Sequence, residues 1–208
     1  MDNYLIMGAG GLASEVFNWI HNPVYRTVVG FYADISHRKE IFDFPVFTDL
    51  KIAKESITPK NIYFITAVGD PHLKEKFNQK ALDAGLEPCY GFLSGGIIYG
   101  CYNNLGRNSI ICPNAVVTTN VSIGYGCVVH YNCSIGHDTI IDDYSTLLPG
   151  ACISGNVEIG KYVVVGSNAC IREKIKIADD VFIGMGSVVV KDITEAGTYV
   201  GNPARRIK

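Results

Sequence analysis

The arrangement in this chain best suited to moving a proton is a histidine set between a glycine and an aspartate, Gly136-His137-Asp138. An imidazole titrates near neutral pH, and a neighbouring carboxylate orients the ring and raises its basicity, as a general base requires. An outward histidine is as commonly solvated or placed at a subunit interface, so the residues alone leave both readings open. His21 and His37 stand in polar loop sequence and are expected to be solvated. His72 follows Pro71 at the start of a predicted helix, where it caps or meets a ligand. His130 is expected to point outward, as His137 is. His130 and His137 do not make the three-ligand set of a catalytic zinc, so no metal is expected. No cysteine stands beside His137 as a nucleophile, which favours direct transfer over a covalent acyl-enzyme.

A second candidate lies near the start. Gly8-Ala9-Gly10-Gly11-Leu12-Ala13 fits GxGxxA between a short apolar run, residues 4–7, and an amphipathic stretch, residues 12–22. Glycines there let backbone N–H groups approach a phosphate at a helix N-terminus, while a merely tight strand-to-helix turn has the same sequence. Asp34 and Asp70 follow predicted strands over residues 27–32 and 61–68, at the edge where open α/β sheets bind ligands. Either aspartate also suits a turn or a helix cap. A helix is expected over residues 72–85, with Gly85 as its C-cap. Strands alternating with helices predict a small parallel α/β sheet, a Rossmann-like domain over residues 1–95. Under 100 residues precede the change of pattern, too few for a full dinucleotide-binding fold, and no hydride-transfer site is evident.

From Leu105 to Val189 every sixth residue is Leu, Ile or Val, and the fourth residue after each is small or β-branched. Neither a helix nor a flat strand has that period. It is the mark of a parallel β-helix over residues 96–208, whose coils bury their inner faces only by stacking. With three hexads to a coil, residues 18 apart lie over one another, about 4.8 Å apart. Gly155 then stacks on His137 and leaves room for a ligand above the ring. The polar, basic, Pro-containing tail after Val189 suits a cap on the last coil.

The net charge of −2 gives no reason to expect a nucleic-acid or membrane partner. No apolar run approaches the roughly 20 residues of a membrane span, and residues 1–11 lack the basic start of a signal peptide. Seven cysteines form no CxxC pair, and Cys127 and Cys133 read as small buried residues of a reducing compartment. A cytoplasmic location is expected.

The whole chain resembles the left-handed β-helix sugar acetyltransferases. It is most similar to sialic-acid O-acetyltransferases and to nucleotide-sugar N-acetyltransferases of the bacillosamine and perosamine type. The resemblance is carried by the Gly8–Gly11 turn, Ala67-Val68-Gly69-Asp70, Ile135-Gly136-His137-Asp138, Pro149-Gly150-Ala151 and Gly201-Asn202-Pro203-Ala204-Arg205. It implies a left-handed coil, a homotrimer with active sites between neighbouring prisms, and acetyl-CoA as co-substrate. His137 is then the catalytic base and Asp138 its orienting acid. Gly155 offers its N–H to the acetyl group or pantetheine, and Gly8, Gly10, Gly11, Asp34, Gly69 and Asp70 hold the nucleotide of the sugar. Arg205 and Arg206 meet the coenzyme. Some relatives carry a second histidine nine residues after the base; here Thr146 takes that place, so a coenzyme contact there must differ. The expected reaction is N-acetylation of the 4-amino group of a nucleotide-linked 4-amino-4,6-dideoxy sugar. O-acetylation of sialic acid or a related sugar, a non-catalytic binding or structural trimer, and a γ-carbonic-anhydrase-like activity are the competing readings.

Overall fold

A computed structural model describes residues 2–22, 24, 26–57, 62–100 and 102–208 of the protein. The chain divides into two compact units, Met1–Cys89 and Tyr90–Lys208, a few residues before the boundary expected from the hexads.

The first unit is a sheet of β1 (Asp2–Met7), β2 (Arg26–Tyr32), β3 (Glu40–Ile41), β4 (Phe44–Phe47), β5 (Ile62–Thr66) and β6 (Glu87–Pro88). Their order is β3-β4-β2-β1-β5-β6, parallel throughout except for the β3–β4 hairpin. Helices α1 (Gly11–Ile20), α2 (Leu50–Ser56) and α3 (Pro71–Asp83) connect the strands. The two longer helices lie where the sequence puts them, and β5 begins one residue after Asn61, which lies outside the described residues. Pro71 starts α3 because a missing N–H costs nothing in a first turn, and Gly85 (φ 70°) turns the chain out just past its Ala84 cap. The β3–β4 hairpin and α2 carry too few periodic positions to show in the sequence. Leu5, Met7, Phe64, Phe77 and Ala81 form the buried centre between sheet and helices.

The second unit is a triangular prism of three parallel sheets. One face holds residues 110–111, 128–129, 146–147 and 164–165; the next holds 116–117, 134–135, 152–153 and 170–171; the third holds 122–123, 140–141, 158–159 and 176–177. Each pairing joins residues 18 apart, so the stack of three hexads read from the sequence is the stack found. The sixth-position aliphatics and the small residues four places on fill one continuous core, with Ile135, Ile153 and Ile171 at 2% exposure or less. One more coil precedes Leu105. Leu93 pairs under Ile111, Ile98 under Val117 and Leu105 under Ile123. Its spacings of five and then seven residues hide it from a search at period six. The far end is closed by residues 197–200, which extend the first face, and by residues 205–206, which turn back antiparallel.

Each corner bends through a left-handed residue three places after a core aliphatic: Asn108, Asn114, Asn120, Asn132, Asp138, Asn156 and Asn168 are examples, with φ between 56° and 60°. Asn, Asp and Gly tolerate that region best. Next to it, small inward hydroxyls stitch coil to coil. Ser145 donates to the Gly160 carbonyl (2.8 Å) and accepts the N–H of Val163 (3.0 Å); Ser109 does the same with Gly124 and Cys127. Cys127 and Cys133 hold the same position, their thiols against carbonyls at 3.1 and 3.2 Å. Burial pushes the Cys133 thiol up to about 11, so it stays protonated. Replacement of Ser145 by alanine orphans a buried N–H and a carbonyl at once. We expect a loss of about 1–3 kcal/mol, read as a lower urea midpoint with an unchanged slope.

Candidate functional site

His137 stands on the corner between the second and third faces, with its side chain 59% exposed. Asp138, in the left-handed conformation (φ 58°), brings Oδ2 to 2.6 Å from His137 Nδ1. Its other oxygen accepts from Asn120 Nδ2, also at 2.6 Å. The Asn120 amide, and after it the imidazole, hold the Asp138 carboxyl below its ordinary value. The carboxylate is therefore an acceptor and His137 Nδ1 carries the hydrogen. That tautomer leaves a lone pair on Nε2.

Gly155 lies directly over the ring. A Cβ there would come within 2.7 Å of His137 Nε2 and 2.8 Å of Cε1, so only glycine leaves the imidazole in place. Gly136 has a more ordinary reason. Its missing side chain makes room for the backbone of the next coil, as at Gly106, Gly124 and Gly166. On the following corner the N–H groups of Tyr125 and Lys161 are capped by Asp143 and Asp179, one coil further on. The residue one coil beyond Gly155 is Glu173, and among the described residues the Gly155 N–H meets no acceptor. The corner thus places a basic nitrogen beside an open backbone donor, the pair of groups that acyl transfer uses.

The first unit holds a cavity of about 720 Å³ at the carboxyl ends of β1, β2 and β5. Gly8, Gly10, Gly11, Asp34 and Gly69 all line it, with Ser36, His37 and Arg38 from the loop after β2 and Leu73 and Phe77 from α3. Gly8 (φ 139°) is glycine because a Cβ would strike the Ala67 carbonyl at 2.6 Å. Gly10, Gly11 and Gly69 face open space, which frees the start of α1 for an anion. The loop residues His37 and Arg38 carry no periodicity, so nothing in the sequence pattern marked them as cavity residues.

Four residues have settings that their spacing did not show. Asp70 does not line the cavity; its carboxylate caps α3 through the Leu73 N–H at 2.7 Å. Asp34 lines it but is engaged by Lys80, by Lys76 at 3.0 Å and by the Tyr32 hydroxyl at 2.8 Å. His130 is buried, at 8% exposure, rather than turned to solvent, and Thr146 is fully enclosed on its strand, where it presents no side chain to a coenzyme. In the tail Arg206 is held by Glu195 at 2.6 Å and by the Lys208 and Ala196 carbonyls, whereas the Arg205 guanidinium, among the described residues, makes only a local bond to the Ala204 carbonyl. Among the described residues no group of three or more His, Cys, Asp and Glu side chains is placed to hold a metal. No helix there is long and apolar enough to cross a membrane.

Residues 3–81 match the family model of the PglD N-terminal domain. Over its full length the chain is 28% identical to GDP-perosamine N-acetyltransferase of Escherichia coli O157:H7, covering 97% of that protein. Its fold matches a mutant of perosamine N-acetyltransferase from Caulobacter crescentus, solved in complex with CoA and GDP-perosamine, with a TM-score of 0.86 at 21% identity and coverage of 100% and 98%. It also matches WeeI from Acinetobacter baumannii AYE, with a TM-score of 0.83 at 24% identity and full coverage of both chains. The fold is thus a small α/β parallel-sheet domain followed by a left-handed β-helix.

The lysines, chiefly Lys80, hold the Asp34 carboxyl down to about 2. A depressed carboxyl stabilises the fold above its unfolded value, near 3.9, and loses that contribution as pH falls through the folded value. Asp34→Asn is therefore expected to melt below the parent protein at pH 6. The gap should narrow in thermal scans between about pH 4 and pH 2.

Proposed function

We propose that this chain, which is homologous to the GDP-perosamine N-acetyltransferase and to WeeI within the hexapeptide-repeat acetyltransferases, is an acetyl-CoA-dependent sugar N-acetyltransferase. Its acceptor is the 4-amino group of a nucleotide-linked 4-amino-4,6-dideoxy sugar. The observation that carries this reading is the corner of His137, Asp138 and Gly155: an oriented imidazole with a free Nε2 and an unengaged N–H above it.

The neutral amine attacks the thioester carbonyl carbon and forms the C–N bond. His137 Nε2 takes the proton the nitrogen must lose, and Asp138 stabilises the resulting imidazolium. The carbonyl oxygen gathers negative charge, to which the Gly155 N–H donates. Collapse breaks the C–S bond, and the sulfur leaves as thiolate and takes up a proton, giving the amide and CoA. The turn at Gly8–Gly11 and the start of α1 suit a nucleotide diphosphate, and Arg38 supplies a cation at the rim of the same cavity. Arg205, exposed and lightly held, suits a coenzyme phosphate better than Arg206 does.

The assembly is a homotrimer, and the prism's ridges support this. The corner between the first and second faces runs through residues 112–116, 130–134, 148–152, 166–170 and 184–188 without one Asp, Glu, Lys or Arg. Tyr131 and Met185 are exposed on it, at 37% and 82%. The other two ridges carry Asp138, Glu158, Lys174 and Arg107, Asp143, Lys161 among others. A ridge stripped of charge over five coils is what self-association around an axis needs. A cytoplasmic location suits the free thiols of Cys89, Cys112, Cys127, Cys133, Cys152 and Cys170.

Thiol release from acetyl-CoA should be fast with a UDP-, dTDP- or GDP-linked 4-amino-4,6-dideoxy sugar. It should fall by about 10²–10⁴-fold in a folded His137→Ala protein; normal turnover in that variant would remove the base. Release with free sialic acid alone would make the reaction an O-acetylation. In sedimentation the parent is expected at three times 22.7 kDa, and Tyr131→Glu with Met185→Lys should shift it to smaller species.

A further inference from the structure

We propose that Asn120 is a positioning residue for the His137 base, acting one coil away through its bond to the Asp138 carboxylate. The inference rests on His137 being the base. An exposed carboxylate tied to one partner turns freely about its side-chain bonds; Asp138, with its side chain 44% exposed, is tied at both oxygens. The Asn120 amide fixes Oδ1, which leaves Oδ2 aimed at His137 Nδ1 and fixes the plane of the ring. Asn120 lies 18 residues before Asp138, so the backbone stacking of the two coils sets its position.

A stack of left-handed asparagines is also a plain structural device, and two observations separate Asn120 from it. Asn114, Asn132, Asn156 and Asn168 hold the same kind of corner place, yet among the described residues their side-chain amides make no hydrogen bond. The Asn120 amide is engaged, and its acceptor is the acid of His137. The surroundings also leave the Asp138 carboxylate as the near charge on the ring. The corner residues directly below are Thr119 and Asn120, and those directly above are Gly155 and Asn156, all uncharged. The next charged corner groups, Arg172, Glu173 and Lys174, lie two coils away, about 9.6 Å along the axis. An amide suits this place better than a carboxylate, since it donates to Asp138 without repelling it.

The test compares the full-length protein with Asn120→Gly, which keeps the left-handed turn, and with Asn120→Asp, following the His137 imidazole by NMR titration alongside kcat, KM and the pH profile. In Asn120→Gly the carboxylate is released. The imidazole pKa and the acid limb of the kcat profile should fall together, kcat should drop about tenfold, a fraction of what a general base supplies, and KM should stay near the parent value. In Asn120→Asp the added charge should raise the imidazole pKa while kcat still falls. An unchanged titration in a folded Asn120→Gly protein, or a shifted titration with unchanged kcat, would reduce Asn120 to a turn residue. If Asn120→Gly does not fold, Asn120→Asp carries the same test. Full turnover by His137→Ala would instead defeat the reading of the base, and the titration would still report whether Asn120 reaches the ring.

Discussion

Everything in the second unit depends on the register of its backbone hydrogen bonds, which from Leu105 to Val189 ties each strand residue to the one 18 places on. Parallel strands of two residues have no stability alone; stacked in register they share one core of Ile, Val and Leu. The same register puts four unlike residues into two adjacent columns at the second corner. Asn120 lies beneath Asp138, and Gly155 lies above His137. A shift of one residue in either neighbouring coil would move the amide off the carboxylate and put a side chain into the imidazole. Rigidity here comes from repetition, and the chemistry comes from the few places where the repetition is broken.

That contrast separates the two kinds of glycine in the prism. Gly106, Gly124, Gly136 and Gly166 accommodate the next coil's backbone and occur wherever the stack is tight. Gly155 accommodates the His137 ring, as Gly150 and Gly160 accommodate the side chains of Asn168 and Asp179 on the other corners. The caps behave in the same way. Asp143 and Asp179 close the N–H groups on one ridge, and on the histidine ridge no carboxylate among the described residues does so for Gly155.

Much of this was legible in the sequence because period six maps directly onto the core. The two units, the three-hexad coil, the helices after the glycine turn and after Pro71, and the pairing of His137 with Gly155 all follow from spacing. What stayed hidden has physical reasons. The first coil is built with spacings of five and seven, so Leu93 and Ile98 fell out of phase. Asp70 and Asp34 stand at strand ends as ligand residues do, and their intramolecular partners, the Leu73 N–H for one and Lys76 and Lys80 for the other, come from residues whose spacing gives no sign of them. Strand position alone does not reveal that Thr146 and His130 are enclosed. Asn120 was readable once the 18-residue coil was known, since it lies that far before Asp138. The left-handed residues three places after each core aliphatic form a second period of six that points to the same column.

The most direct test of the central claim is a structure of the protein with CoA and a nucleotide-linked amino sugar bound. The account predicts the coenzyme sulfur at the His137 corner, within reach of the Gly155 N–H, and the sugar amine beside Nε2. A coenzyme sulfur seated away from that corner, with His137 facing only solvent, would contradict it.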